Sequence, residues 1–164
     1  MTHDQYQTLR TQAETFKDFG DFALALEKYT EILNAYPQDG GVYCDIAFTY
    51  YDCGAYECAI ENFHKTLEYG EGDDIAYAHA MLGVCYMSLN EECANEAYVQ
   101  KAIMHYEKVR DEYEEFANAK VLYDLAVAYI DAKIYHKAII TLNQVVAIDP
   151  SLEDAWSYLD TLEY

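Results

Sequence analysis

The chain has 164 residues, 52% of them hydrophobic, so it is long enough and apolar enough to bury a continuous core. Thirty acidic residues against ten basic ones give a formal net charge of −20. This charge argues against direct nucleic-acid binding, because phosphate contacts require Lys and Arg. It favours basic partners and fast, salt-sensitive association with them. The charge would equally serve to keep a tyrosine-rich surface soluble.

The composition also bears on the compartment. No run of about 18 apolar residues occurs, so we expect no helix that spans a membrane. The first residues, MTHDQYQTLR, lack the basic and then apolar order of a signal peptide. The five cysteines are an odd number and include no C-x-x-C pair, which is typical of reduced thiols. We therefore expect a cytoplasmic protein without membrane association.

Three kinds of position recur along the chain in the same order. A bulky residue is followed by an aromatic one seven positions later, and then by an alanine. The bulky positions are Leu9, Tyr43, His79, Leu122 and Trp156, the aromatic ones Phe16, Tyr50, Tyr86 and Tyr129, and the alanines Ala25, Ala59, Ala102 and Ala138. The bulky positions step by 34, 36, 43 and 34 residues. The gap from the aromatic position to the alanine is 9, 9, 16 and 9 residues, which places a seven-residue insertion between Tyr86 and Ala102.

This pattern resembles the tetratricopeptide repeat, a 34-residue helix–turn–helix unit. The resemblance is clearest in residues 40–73, where it is carried by Tyr43, Ile46, Ala47, Tyr50, Gly54, Tyr56, Ala59, Phe63 and Leu67. It implies an all-α fold: a right-handed superhelical solenoid of antiparallel helix pairs, with about nine helices and no strands. We predict one domain over residues 1–164. Its repeats would cover about 6–39, 40–75, 76–118 with the insertion, and 119–152, followed by a capping helix over 151–164.

The residue types at two further positions have a physical reason. Small residues are expected where paired helices approach closely, and these are Ala13, Ala47, Gly83 and Ala126. Gly20 and Gly54 lie between paired helices, where a left-handed backbone is predicted. Asn90 would take this role in the third repeat, and Lys133 departs from it in the fourth.

The insertion is predicted to lengthen a helix. Apolar residues continue at a helical period from Ala94 to Phe116, and no Gly or Pro interrupts them. We therefore predict that the second helix of the third repeat covers about 92–117 and extends beyond its neighbours. Two interpretations stay open, a docking projection and an enlarged helix without a partner.

The resemblance implies that the first helix of each repeat lines a concave groove. By helical phase, the groove residues would be Asp45, Phe48, Tyr51, Asp52, Tyr77, Met81, Val84, Met87, Tyr123, Asp124, Val127, Ile130 and Asp131. Most are apolar, with the four aspartates at the border. An apolar patch with a charged rim is typical of a partner site, and aromatic and methionine side chains often anchor peptides. The alternative is that several of these residues turn inward as core.

One known function of the family is excluded. Modules that hold the carboxylate of an acidic chaperone tail use Lys, Asn and Arg on three successive first helices. Here the matching positions are Arg10, Glu14, Asp45, Tyr77 and Met81, so only one of them is cationic. An acidic peptide end would meet carboxylates instead of donors.

Catalysis has little support in the sequence. No G-x-S-x-G, H-E-x-x-H, P-loop or Rossmann glycine pattern is present, and the five histidines are scattered. His79 lies at a core position, where we predict a buried, hydrogen-bonded imidazole. We expect no enzymatic activity, no cofactor and no metal site.

The leading hypothesis is a protein–protein interaction scaffold, an adaptor or chaperone-like module. It would hold an apolar or basic segment of a partner protein in the concave groove. An acidic decoy that blocks a nucleic-acid-binding protein is one alternative. That role requires carboxylates aligned on an outer face, for which the candidates are Glu57, Glu61, Glu68, Glu107, Asp111 and Glu115. A self-associating structural module is the other alternative.

Overall fold

The architecture is seen in a computed structural model that describes residues 1–162. Within this part of the chain there are nine α-helices, one short 3₁₀ turn and no strand. The predicted all-α fold with nine helices is thus confirmed. Glu163 and Tyr164, the end of the predicted capping helix 151–164, lie outside the described residues.

The helices form two compact units that divide within the fifth helix, one covering Met1–Ala78 and the other beginning at His79. The helices are α1 (His3–Asp18), α2 (Phe22–Ala35), α3 (Gly40–Asp52), α4 (Tyr56–Tyr69), α5 (Asp73–Cys93), α6 (Glu96–Glu112), α7 (Ala119–Asp131), α8 (Tyr135–Ile148) and α9 (Glu153–Leu162). The 3₁₀ turn, Glu114–Phe116, precedes α7.

Local chemistry explains where these helices begin and end. Side-chain caps accept from free backbone N–H groups at the starts of four helices, and they are Thr2 (α1), Asp39 (α3), Asn95 (α6) and Asn118 (α7). Pro37 and Pro150 follow the last residues of α2 and α8 by two positions. A proline disfavours the helical conformation of the residue before it, so both helices end where the sequence predicted.

The core of the first unit joins α1, α2 and α3. Its buried side chains are Ala13, Ala25, Tyr29, Ile32, Val42 and Ile46. Ala13 and Ala47, predicted at positions of close helix approach, are both fully buried. A larger side chain at either position would separate the paired helices.

The core of the second unit includes the last helix. Its buried side chains are Leu122, Ala126, Leu142, Val145, Val146, Ala155 and Leu159, the last two from α9. Within the same unit, a Cβ atom added at Gly83 would lie 2.5 Å from the ring of Tyr106. No side chain fits there, which explains why the third repeat has glycine where the others have alanine.

Trp156 differs from the other residues at its repeat position. Its side chain is 48% exposed, and its Nε1 donates to the carbonyl oxygen of Pro150, 3.1 Å away. Tyr43 makes the same contact in the first unit, where its hydroxyl donates to the carbonyl oxygen of Pro37 at 3.1 Å. Both side chains hold the loop that enters their helix, in addition to any packing role.

The predicted helix over 92–117 is wrong. The helix α5 ends at Cys93, and α6 covers Glu96–Glu112. With 21 residues against 13 in α3 and in α7, α5 is long enough to take up the whole insertion. Asn90 stays inside α5, and Ala94 adopts the left-handed conformation in its place, with a φ of 48°. Asn95 then caps α6 by accepting from the N–H of Ala97. The apolar period gave no indication of this break, because Ala94 at the turn is itself one of the apolar residues of the pattern.

Three inter-helix turns have the same hydrogen-bond pattern. Gly54 N–H donates to the carbonyl of Tyr51, and the next N–H, of Ala55, donates to the carbonyl of Tyr50. The turns at Gly20 and Lys133 repeat both bonds at the same spacing. The φ values of Gly20, Gly54 and Lys133 are 79°, 78° and 60°. The left-handed backbone predicted at the two glycines is present, and Lys133 adopts it despite its Cβ atom.

Two buried tyrosines differ in how their hydroxyls are bonded. Tyr129 donates to Glu107 Oε1 at 2.5 Å and accepts from Arg110 Nη1 at 3.3 Å. Tyr29 is fully buried in the first unit, and among the described residues its hydroxyl has no hydrogen-bond partner. The hydroxyl of Tyr29 therefore costs desolvation without a compensating bond.

Replacing Lys133 with glycine should stabilise the protein. A left-handed backbone costs an L-residue about 1–2 kcal/mol, and the greater freedom of glycine in the unfolded chain offsets part of the gain. We expect Lys133→Gly to raise the free energy of unfolding in urea by about 0.5–1 kcal/mol. Lys133→Ala, which keeps the Cβ atom and removes the charge, should leave it almost unchanged. A Lys133→Gly variant that unfolds at lower urea would contradict this account.

Removing each tyrosine hydroxyl should have opposite effects. Tyr29→Phe is expected to raise the free energy of unfolding by about 1 kcal/mol, because it removes a buried group without a partner. Tyr129→Phe should lower it by about 1–2 kcal/mol, because it breaks bonds to charged groups. Thermal and urea unfolding of the two variants would measure both. Destabilisation by Tyr29→Phe would show that its hydroxyl is bonded in solution.

Candidate functional site

The predicted groove residues are divided between the two compact units. The first unit holds Asp45, Phe48, Tyr51, Asp52 and Tyr77, and the second holds Met81, Val84, Met87, Tyr123, Asp124, Val127, Ile130 and Asp131. Five residues of the second set line one cavity, whereas those of the first set have separate partners or are exposed.

In the first unit, Asp45 is committed to an ion pair. Arg10 Nε donates to Asp45 Oδ2 at 2.8 Å and lies 3.8 Å from Glu14 Oε1. Burial raises the pKa of the Asp45 carboxyl, and the bond from Arg10 opposes part of that rise. The charge of Asp45 is thus already compensated within the unit.

The aromatic residues of the first unit have partners of their own. Phe48 meets the buried ring of Phe63 edge-to-face, with centroids 5.4 Å apart and an interplanar angle of 88°. Tyr51 lies 5.8 Å from Tyr56 in a tilted arrangement. These contacts agree with the alternative that some groove residues turn towards the core. Asp52 and Tyr77 are exposed, Tyr77 by 50%.

In the second unit, five predicted residues line one cavity of about 270 Å³, termed here the second-unit cavity. They are Val84, Met87, Tyr123, Asp124 and Val127. The other lining residues are Ser88, Glu91, Tyr106, Lys120 and Tyr158. Spacings of three and four residues place Val84 with Met87 on one face of α5, and Tyr123 with Val127 on one face of α7.

Aromatic rings form a large part of the cavity wall. The rings of Tyr123 and Tyr158 have centroids 6.3 Å apart at an angle of 49°. Tyr106 is almost fully buried and lies in the same unit against Gly83. Burial raises the pKa of Tyr123, so this hydroxyl stays neutral in ordinary buffers. Tyr106 is not among the predicted groove residues, so the sequence missed its contribution to the cavity.

Asp124 is the charged group set most deeply in this cavity. Its side chain is 18% exposed and pairs with Lys120 Nζ at 2.5 Å, whereas the Lys120 side chain is 75% exposed. Burial raises the pKa of the Asp124 carboxyl, and Lys120 opposes that rise. Glu91 adds a second carboxylate to the wall. The cavity therefore combines apolar walls with an excess of negative charge.

The remaining predicted residues of the second unit lie elsewhere. Ile130 packs against the core formed by α7, α8 and α9. Asp131 lines a different cavity, together with Asn90, Ala94 and Lys133 near the turn between α5 and α6. Burial raises the pKa of Asp131, and the nearby charge of Glu91 adds to the rise. Met81 is half-buried on α5.

Two of the outer carboxylates proposed for an acidic decoy are ion-paired. Glu107 accepts from Lys137 Nζ at 2.9 Å and from the hydroxyl of Tyr129. Asp111 accepts from Arg110 Nε at 2.7 Å. Both side chains thus share their charge with a neighbouring cation, which weakens their value as phosphate mimics.

The buried histidine of the third repeat has a partner that the sequence did not reveal. His79 is 7% exposed, and its Nδ1 lies 2.9 Å from Nδ1 of His105. The predicted buried, hydrogen-bonded imidazole at position 79 is present. His105 itself stacks on Tyr86, with centroids 5.8 Å apart. Because the inserted residues separate the two histidines, sequence spacing could not pair them.

Residues 1–162 contain no group of three or more His, Cys, Asp or Glu side chains placed to hold a metal ion. Among the helices of that same part, none is both long and apolar enough to cross a bilayer.

The tetratricopeptide repeat model matches residues 120–151, within α7 and α8 and the start of the following loop. No curated protein matches the chain. Several solved structures do match it, each at less than 25% sequence identity, so that they show the fold alone.

One of these structures is MamA from Desulfovibrio magneticus RS-1, from residue 41 to its end. It is 18% identical, with 99% of this chain and 85% of that chain covered and a TM-score of 0.83. The putative kinesin light chain of Podosopora anserina, with nearly identical TPR-like repeats, is 16% identical, with 99% and 87% covered and a TM-score of 0.73. YrrB, a TPR protein with an unusual peptide-binding site, is 18% identical, with 94% and 74% covered and a TM-score of 0.70. The chain thus contains one matched tetratricopeptide repeat, over residues 120–151, and shares the all-α repeat fold of these solved structures.

Proposed function

We propose that the chain is a protein–protein interaction scaffold, an adaptor or chaperone-like module that holds a segment of a partner protein in the second-unit cavity. The observation that carries the proposal is Asp124, a largely buried carboxylate in a cavity with apolar and aromatic walls. The segment would carry a basic side chain next to an apolar one.

The walls suit an apolar anchor. Val84, Met87 and Val127 are half-buried and contribute to one cavity, and Tyr123 and Tyr158 add ring surface. Methionine adapts its shape to different partners, and tyrosine supplies a large contact area at low entropic cost. With about 270 Å³, the cavity is slightly smaller than the range of ~300–1,000 Å³ of small-molecule sites, and it suits the side chains of a segment.

The charge of the cavity favours a cation. Lys120 is mostly exposed, so its pair with Asp124 is of the kind that contributes only about 0–1 kcal/mol. A partner's arginine could replace it, because a guanidinium binds a carboxylate through two parallel hydrogen bonds. The net charge of −20 would also steer a basic segment towards the protein.

Two further observations agree with this function. YrrB, which has the same fold, is described as having a peptide-binding site. The five cysteines are free, and burial raises the pKa of Cys44 and of Cys85 to about 12, so these two thiols are unreactive. Free thiols agree with the cytoplasmic setting that we propose for the module.

Truncating the aromatic wall should weaken partner binding. We would titrate synthetic segments that place one arginine among apolar residues, and matched segments with glutamine or glutamate in its place. Tyr123→Ala and Met87→Ala should each lower the affinity for the arginine segment about tenfold, the loss typical of an anchoring contact.

The matched control is Tyr135→Ala, which also removes a tyrosine ring. Tyr135 is 47% exposed and does not line the cavity. It should bind like the original protein. The wild-type chain should prefer arginine over glutamine, and glutamine over glutamate. If Tyr135→Ala and Tyr123→Ala bind equally well, with both variants folded by circular dichroism, the cavity is not the binding site.

Binding of the arginine segment should release protons over the pH range in which the Asp124 carboxyl of the free protein titrates. In the free protein burial holds the pKa of Asp124 above its ordinary value, and a nearby cation would lower it. Asp124 is therefore partly protonated in the free state over a range in which the complex holds it ionised, and affinity should fall as pH falls through that range. Calorimetry in buffers of different ionisation enthalpy would measure the release. Asp124→Asn should abolish it, and a release that persists in this variant would assign it to another group.

A further inference from the structure

The first unit contains a larger cavity that the proposed function does not use. It has a volume of about 810 Å³ and lies between the start of α1 and the connection from α2 to α3. It is termed here the aromatic pocket, and its wall includes His3, Tyr6, Gln7, Tyr36, Gln38 and Asp39. The volume lies within the range of ~300–1,000 Å³ that is typical of ligand sites.

Two tyrosine rings form one side of the aromatic pocket. The centroids of Tyr6 and Tyr36 are 5.9 Å apart, and the ring planes meet at 70°. Tyr36 is 42% exposed and Tyr6 is half-buried, so ring surface remains at the wall. The face of an aromatic ring carries partial negative charge and attracts a cation.

Asp39 gives the same pocket a carboxylate in a fixed orientation. Its Oδ1 accepts from the N–H of Val42 at 3.0 Å, and its Oδ2 accepts from the hydroxyl of Tyr6 at 2.8 Å. Each carboxylate oxygen can accept a further bond. Burial, and then the bond to Asp39, raise the pKa of Tyr6 to about 12, so Tyr6 stays neutral and continues to donate.

No lysine or arginine is among the residues described around the aromatic pocket. Elsewhere the chain places its own ammonium groups over tyrosine rings. The pairs are Lys65 with Tyr43 at 5.2 Å, Lys101 with Tyr86 at 5.0 Å, and Lys137 with Tyr129 at 5.1 Å. The aromatic pocket has ring surface and a carboxylate without such an ammonium group in its described wall, where His3 is the one basic side chain. That combination is complementary in charge to an ammonium group supplied from outside.

We propose that the aromatic pocket binds the alkylammonium group of a lysine side chain from a partner protein. The ammonium would lie against the ring faces of Tyr6 and Tyr36 and bond to the carboxylate of Asp39. The methylene stem would lie along the same rings. The pocket belongs to the first unit and the cavity of the proposed function to the second, so either proposal can fail without the other.

Asp39 also has a structural role that the test must separate from binding. It caps α3, and its removal would weaken that helix start. Asparagine is an equally good cap, so Asp39→Asn removes the charge and keeps the bond from Val42. Its Nδ2 amide takes the place of Oδ2 and can donate to the Tyr6 hydroxyl, which then accepts. For the ring, Tyr36→Leu removes the aromatic face, and Tyr36→Phe keeps it without the hydroxyl that donates to the carbonyl of Met1.

The test is a titration of the ¹⁵N-labelled chain with three small ligands at millimolar concentration. They are N-acetyl-lysine methylamide, its Nε-trimethyl form and the neutral norleucine analogue. Both cationic ligands should shift the amide signals of residues 36–42, and norleucine should bind at least about 5-fold more weakly. Tighter binding of the trimethyl form would assign most of the affinity to the rings, and tighter binding of the unmodified form to Asp39.

The variants complete the test. Asp39→Asn and Tyr36→Leu should each weaken lysine binding about 5-fold, and Tyr36→Phe should bind within about 2-fold of the original chain. Equal binding of norleucine and lysine, or unchanged binding by Asp39→Asn and Tyr36→Leu, would overturn the proposal. Signals that shift only outside residues 3–7 and 36–42, the two segments that line the pocket, would overturn it as well. The affinity of the arginine segment for the second-unit cavity should stay the same in all three variants.

Discussion

The close approach of paired helices is the constraint on which the rest of this protein depends. At Gly83 there is no room for a Cβ atom because the ring of Tyr106 occupies the space. Ala13, Ala47 and Ala126 are fully buried at the matching positions. Close approach lets large side chains such as Tyr29, Phe63 and Leu142 fill the core one helical turn from each repeat alanine.

Both candidate sites place a carboxylate beside tyrosine rings, but the carboxylates are held differently. Asp124 lies among apolar side chains, so burial disfavours its charged form. Its partner Lys120 is exposed, so another cation can replace that lysine. Asp39 is oriented by two hydrogen bonds, one of them the cap of α3. In a chain with 30 acidic and 10 basic residues, carboxylates of this kind have few internal cations to pair with. Part of the net negative charge of the chain is thus located in these two cavities.

Helical phase predicted part of the groove correctly, because it determines which residues share one face of a helix. It placed Val84, Met87, Tyr123, Asp124 and Val127 on inner faces, and the structure brings these five to one cavity. It could not foresee that Phe48 packs on Phe63, because that contact depends on the tilt of two helices. It also missed the aromatic pocket, whose wall is built partly from the loop after α2, where no periodicity exists. The prediction of one long helix across the insertion was wrong for a related reason. Alanine is a residue type that does not indicate a left-handed backbone, which Ala94 adopts.

The sequence by itself determined the all-α class, the number of helices, the small residues at helix contacts and the left-handed turns at Gly20 and Gly54. These follow from local sterics and from the period of the helix, which act between residues close in the chain. Only the tertiary structure decided which of the inserted residues lengthen α5, that His79 meets His105, and that Asp39 and Tyr36 share a pocket with Tyr6. Those outcomes depend on packing between residues far apart in the chain, and a single sequence records the residue types at such contacts without recording which of them meet.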